Sequence, residues 1–321
     1  MTNIQQFPTH LDADAIDIEE GRKRRRRIRN LTGYAFIAPA MSFLIVFLFI
    51  PLIAAIYLSF TDYDLLTAPT WVAFDNYERL YNDTLFWRGL RNSFIYLVVT
   101  PILIILSIAL AIVVNRKILG VGVFRTIYYI PAVTSVVAVG MIFEFVFAEP
   151  SGLINGFLLS TGLIERPINF LTHPDSTLIS IMMVTIWRGI GFYMVIFLSA
   201  LQAVPDELYE AAAIDGANKF QQHMNVTIPG IRPAIIFVAI ISSISALKVF
   251  EEIYIMTDGS GGLLDSALTL MFYLYRQAFV NLELGYASAI AVIFSLITLV
   301  FSINNLRLII EKTSVISEKI T

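Results

Sequence analysis

Six continuous apolar runs constrain this chain more than any other feature. They cover Gly33 to Phe60, Ser93 to Val114, Ile127 to Phe147, Leu178 to Leu201, Pro233 to Ile253 and Tyr286 to Leu306. A hydrocarbon core of roughly 30 Å takes about 20 apolar residues per crossing helix, so each run is long enough to span. A lipid-spanning barrel would show alternating segments of about ten residues instead, and in hydrocarbon every backbone polar group must be satisfied within the element or its neighbours. The runs therefore predict an all-α fold, a polytopic membrane helix bundle with six transmembrane helices. Composition agrees, because 57% of the 321 residues are hydrophobic and only 15% charged, more apolar surface than one soluble core can hide.

Basic residues set the expected orientation. Arg22, Lys23, Arg24, Arg25, Arg26, Arg27 and Arg29 precede the first run, and Arg116, Lys117, Arg125, Lys219, Arg232, Arg307, Lys312 and Lys319 fall at the same set of ends. The opposite loops hold only Arg79, Arg88, Arg91, Arg166 and Arg276. The positive-inside rule then puts both termini in the cytoplasm of a multi-pass protein. The basic run abuts an apolar segment, so it reads as a juxtamembrane anchor rather than a nucleic-acid patch. Residues 1–30 are expected to be a cytoplasmic tail, acidic from Leu11 to Glu20, residues 31–310 the transmembrane domain, and 311–321 a C-terminal cytoplasmic tail. The first run is too long and too far from Met1 for a cleaved signal peptide.

Several chemistries find no support. The chain has no cysteine, and its three histidines, His10, His173 and His223, are far apart in sequence, so no metal site is expected. No acid, base and nucleophile constellation suggests a catalytic role, and none is expected.

The connection from Gln202 to Arg232 is too structured for a tether. Pro205 suits a first helical turn, Asp206 and Glu207 complement the positive end of the helix dipole, and Leu208, Ala211, Ala212 and Asp215 recur at helical spacing. Gly216 can supply a left-handed stop, and a second short helix from about Ala217 to Met224 should end before Pro229. Glu210, Ala211 and Ala212, then Gly216 after three residues, then Val226, Thr227, Ile228 and Pro229 after nine more, resemble the EAA loop of ABC importer membrane subunits. Val226 and Ile228 depart conservatively from that pattern. The segments FDNYERLYNDTLFWRGLRNSFIY, IWRGIGFYMVIFLSALQAVP and KVFEEIYIMTDGSGGLLDSALTLMFYLYRQAF followed by GYASA are similar to the carbohydrate-type permeases of type I importers. The usual Gly-Gly-Pro turn is represented by Gly259, Ser260, Gly261, Gly262 and Leu263.

This resemblance implies a bacterial or archaeal cytoplasmic-membrane importer. The implied partners are a second permease subunit in a heterodimer, two copies of a cytoplasmic ABC ATPase, an extracytoplasmic solute-binding protein, a sugar-like solute and membrane lipid, with no nucleic acid. It also implies that the EAA loop, residues 205–229, docks on the ATPase through Glu210, Ala211, Ala212, Asp215, Gly216 and Pro229. This sequence has no Walker A glycine run and no ABC signature, so no cofactor is expected on this chain and ATP is expected to be hydrolysed by the partner.

Charges inside spans are costly and usually face a cavity or a partner. Arg188 sits in the fourth run beside Phe192 and Tyr193, while Ser242, Ser245, Lys248 and Glu252 make a polar stripe in the fifth, with Glu251 beside it. The candidate solute path is Arg188, Phe192, Tyr193, Ser245, Lys248 and Glu252. Against it stands an intrahelical pairing of Lys248 with Glu252 or Glu251, which needs no solute. Ser288, Ala291, Ser295, Thr298, Ser302 and Asn305 suggest a packing seam in the sixth run, and Pro39, Pro51, Pro101 and Pro131 should kink or break helices. Glu144 has no evident partner. Importers of polyols or glycerophosphates, and an ion-coupled secondary transporter, remain as alternatives.

Overall fold

In the computed structural model, residues 27–28, 30–115 and 120–317 are described, with side chains described as far as Asn304. The acidic segment, most of the basic run (Arg22, Lys23, Arg24, Arg25, Arg26 and Arg29), Arg116, Lys117 and Lys319, and the side chains of Asn305, Arg307 and Lys312, lie outside the described residues. The chain divides into two compact units, one ending at Tyr57 and one starting at Leu58.

Among its described residues the first unit consists mainly of helix α1 (Asn30–Leu58), which ends at the first residue of the second unit and whose most apolar window has no buried residue. Phe36 is 83% and Phe47 66% exposed, an arrangement suited to lipid and costly in water. Pro51 does not break this helix. A π turn at Ile45–Phe49 precedes it, with the Ile50 N–H donating to the Ile45 carbonyl. Proline lacks an N–H and its ring presses on the carbonyl four residues back, and the wider turn takes up that strain.

The second unit opens with a two-residue hairpin, β1 (Thr61–Asp62) and β2 (Thr70–Trp71), paired antiparallel. The buried Asn76 amide on α2 (Asp75–Asn82) donates to the Ser59 and Thr61 carbonyls at 3.0 and 2.9 Å. Helix α3 (Thr84–Val114) starts well before the apolar run at Ser93, because Asp83 caps it by accepting the Leu85 N–H at 2.8 Å. Its first turns carry Arg88 and Arg91 and project beyond the apolar stretch.

The third run is not one helix. It is α4 (Val121–Val133) and α5 (Val136–Phe147), bent by 96° at Thr134–Ser135, just after Pro131. After α6 (Leu153–Ser160), helix α7 (Pro174–Gln202) crosses as one rod with Pro174 in its first turn. Then come α8 (Asp206–Ile214), α9 (Lys219–Gly230) and α10 (Arg232–Leu247), the last two bent by 68°. The fifth run is interrupted as well. Helix α10 is 16 residues, about 24 Å at 1.5 Å per residue, and the chain restarts as α11 (Glu251–Met256). Helices α12 (Leu270–Tyr275) and α13 (Leu284–Ser317) follow, α13 running into the segment expected to be a tail as far as Ser317. Among the described residues four helices are long and apolar enough to cross a membrane, or up to six spans if each bent pair counts as one.

Helix α7 is the central element, packed against α3, α4 and α10, with Ile181, Met194 and Phe197 fully buried. Gly191 permits the tightest of these contacts, since a Cβ there would lie 1.8 Å from the Tyr128 carbonyl oxygen on α4. In the small polar stripe on α13, Ser288, Ala291, Thr298 and Ser302 are partly buried and Ser295 is exposed. Tyr286, Ala287, Ala289, Ile290 and Phe294 are buried beside it, and Thr298 bonds back to the Phe294 carbonyl.

Candidate functional site

The interruption of the fifth run creates a cavity of about 650 Å³ bounded by α3, α7, α10, α11 and the linker between the last two. Helix α10 ends when Lys248 donates its N–H to the Ile244 carbonyl at 3.1 Å, and Phe250 then leaves helical geometry at φ −145° and ψ −55°. The freed Val249 carbonyl accepts from Thr269 Oγ1 at 3.0 Å, which meets the requirement that buried backbone groups find partners.

Arg188, Phe192 and Tyr193 reach the cavity from α7, Ser245 from α10, Lys248 from the linker and Glu252 from α11. The break brings these residues together and also overturns the expected intrahelical pairing. Because α10 ends at Leu247, Lys248 and Glu252 are not one turn apart on a continuous helix. Glu252 instead accepts from Arg188 Nη1 at 2.9 Å, with side chains 27% (Arg188) and 13% (Glu252) exposed. Arg188 Nε is buried without a hydrogen-bond partner. Among the described residues Lys248 makes no ion pair, and it is exposed on the cavity wall. The cavity therefore carries one fixed charge pair, one uncommitted ammonium group, the carboxylate of Glu251 and several aromatic faces.

Tyr96 lies at the same cavity, bonded to Thr185 Oγ1 at 2.6 Å. Sequence reasoning missed it, and only its position one turn into an apolar run would have marked it. Glu144 lines a separate cavity of about 550 Å³ with Glu149, Thr172 and Asp258.

The second region is α8 and α9. Glu210, Ala211, Asp215, Gly216 and Pro229 are exposed, and Ala212 is partly covered. Gly216 adopts φ +81° with open space around it, so what restricts that position is backbone conformation and not a steric neighbour. The Ala217 N–H donates to the Ala212 carbonyl at 2.9 Å, closing the end of α8. Asn218 and Gln221 then form a capping box that starts α9, a pattern readable in the sequence but overlooked. Helix α9 does not end before Pro229. A π turn at His223–Thr227 carries the chain through, the Ile228 N–H donating to the His223 carbonyl, as at Pro51. Ile214 at the tip of α8 is 87% exposed, and Tyr209 joins the two helices through Thr227 Oγ1 at 3.0 Å.

Outside the spans, Asp83 anchors one end of the bundle. Burial raises its pKa, but hydroxyls donated by Tyr273 and by Tyr286 (2.5 Å), with the Leu85 N–H, outweigh burial and hold the carboxyl below the usual carboxylate range.

Comparison with known proteins agrees with this architecture. Residues 103–313 match the family described as binding-protein-dependent transport system inner membrane component. The probable ABC transporter permease protein YesP of Bacillus subtilis is 37% identical, covering 87% of this chain and 92% of that protein. The lactose transport system permease protein LacF of Rhizobium radiobacter is 35% identical, covering 88% and 95%. A crystal structure of a bacterial ABC transporter involved in the import of the acidic polysaccharide alginate superposes with TM-score 0.79 at 24% identity, covering 90% of this chain and 99% of that one, and so shares the fold. These matches set aside the ion-coupled alternative, and the chain belongs to the family of binding-protein-dependent transport system inner membrane components.

Proposed function

We propose that this chain is one of two membrane-spanning subunits of an ATP-driven importer for a sugar or sugar-like solute, an oligosaccharide above all, and that the solute passes through the cavity at the α10–α11 break. The cavity carries this reading. Aromatic rings such as Phe192 and Tyr193 cover the apolar CH faces of a sugar, and Arg188, Ser245, Lys248 and Glu252 offer donors and acceptors for its hydroxyls. The sugar permease LacF among its relatives supports the solute class.

The remaining assignments follow from the same reading. Helices α7 and α10 flank α8 and α9 in sequence, so a displacement of α8 and α9 passes to one end of each cavity-lining helix. Glu210, Ala211, Ala212, Asp215, Gly216 and Pro229 form the ATPase contact, where small side chains permit close approach and Ile214 offers an apolar anchor. ATP is bound and hydrolysed by that partner, this chain is no enzyme, and the second permease, the ATPase pair and the binding protein complete the assembly. Both termini face the cytoplasm of a bacterial or archaeal cell.

Lys248→Met tests the path. Because Lys248 makes no ion pair among the described residues, the variant should insert and assemble normally, yet sugar uptake into proteoliposomes should fall at least about tenfold, the value of one charge-assisted hydrogen bond. Native uptake by an assembled variant would reject the cavity as the path.

A further inference from the structure

A second cavity, about 350 Å³, lies where α8 and α9 meet the ends of α3 and α7. Asn115 follows the end of α3, Leu201 belongs to the last turn of α7, Tyr209 to α8, and Lys219, His223 and Thr227 to α9. Its polar lining is an ammonium, an imidazole, two hydroxyls and a carboxamide, and no carboxylate is among the lining residues. Asp206, Glu207, Glu210 and Asp215 all lie on or beside α8 but do not line it.

The donors are held in place. Thr227 is 1% exposed, and its Oγ1 lies 3.0 Å from the Tyr209 hydroxyl and 3.1 Å from His223 Nδ1. Lys219 sits one turn before His223 on the same face of α9. Its only hydrogen bond among the described residues is a long one to Gln222 Oε1 at 3.2 Å, which leaves two ammonium protons uncommitted. Lys219 is exposed but borders the concave pocket.

We infer that this cavity binds a phosphate group, with Lys219 supplying the charge, His223, Tyr209 and Asn115 the directed polar contacts, and Thr227 orienting His223 and Tyr209 through its two hydrogen bonds. Three or four donors with no competing carboxylate suit the oxygens of a phosphate monoester or diester. The source of the phosphate is either an anionic lipid headgroup at the same membrane face or free phosphate. Because its walls come from α3, α7, α8 and α9, an occupant would tie the α8–α9 element to two spans. This inference stands on the cavity alone and does not depend on which solute is carried.

The test uses the purified full chain and two probes. Native mass spectrometry counts phosphatidylglycerol retained after release from nanodiscs, against phosphatidylcholine, and the phosphorus NMR linewidth of inorganic phosphate reports binding in neutral detergent. Lys219→Gln should weaken binding about tenfold or more, and Lys219→Arg should retain it. Lys219 is exposed, so neither variant is expected to impair folding, and unchanged thermal unfolding verifies this. Retention of phosphatidylglycerol that Lys219→Gln loses identifies a lipid headgroup, and line broadening that the variant loses identifies free phosphate. No binding of either probe, or binding that Lys219→Gln leaves unchanged, overturns the inference.

Discussion

The ion pair between Arg188 and Glu252 offers a quantitative test of the break in the fifth run. It ties α7 to α11 across the cavity at 2.9 Å, with Arg188 27% and Glu252 13% exposed. Removing one partner of a fully buried pair costs about 3–5 kcal/mol because the other charge stays behind uncompensated. Here both groups border a cavity and keep partial exposure, so about 2 kcal/mol is the appropriate expectation for Glu252→Gln, with a similar loss for Arg188→Met. Arg188 already has a buried Nε without a partner, which argues against a smaller value for Glu252→Gln. The double variant removes both charges, so its loss should fall short of the sum of the singles by at least about 1 kcal/mol. Unfolding of the purified chain by SDS titration in mixed micelles measures all four corners of the cycle. Coupling below about 0.5 kcal/mol would refute the pairing, and strong coupling of Lys248 to Glu252 instead would restore a continuous helix.

Two further outcomes are expected. Gly191→Ala places a Cβ 1.8 Å from the Tyr128 carbonyl oxygen, so α4 must retreat by over about 1 Å, and overpacking should cost about 1–3 kcal/mol or more in the same titration; a neutral substitution would mean that α4 does not cross α7 there. Asp83 has a folded pKa below its unfolded value, so its stabilisation is present above the unfolded pKa near 4 and is lost as pH falls through the lower folded value. Thermal stability should therefore drop below about pH 4 in the native chain and drop less in Asp83→Asn, and parallel profiles would remove Asp83 from the network.

The broad architecture was legible because lipid leaves few options. Continuous apolar runs force helices, and positions of α7 and α13 followed from run lengths alone. Breaks were harder to see. Pro131 and the following Thr134–Ser135 gave some warning of the bend between α4 and α5, but Lys248, Val249 and Phe250 contain neither glycine nor proline. That break depends on Thr269, twenty residues away, capturing the Val249 carbonyl, and no local signal records it. Conversely, Pro51 and Pro229 look like stops, yet each is absorbed by a π turn just before it. For the candidate site, the polar types and their runs were readable. The partner of Glu252 was not, since i to i+4 spacing presumes an unbroken helix.

The central claim is that solute passes through the cavity between α7 and the α10–α11 break while α8 and α9 transmit ATP-driven movement. The chain has no native cysteine, so Ser245→Cys, on the cavity wall and exposed, is the only site on this chain that a water-soluble maleimide can label in the assembled importer, and the label is read on the separated chain. The account predicts that Ser245→Cys reacts, that sugar-loaded binding protein with a non-hydrolysable ATP analogue slows the reaction at least about tenfold, and that Glu210→Lys abolishes this protection. A cysteine at 245 that never reacts, or reacts equally in every state, would contradict the account.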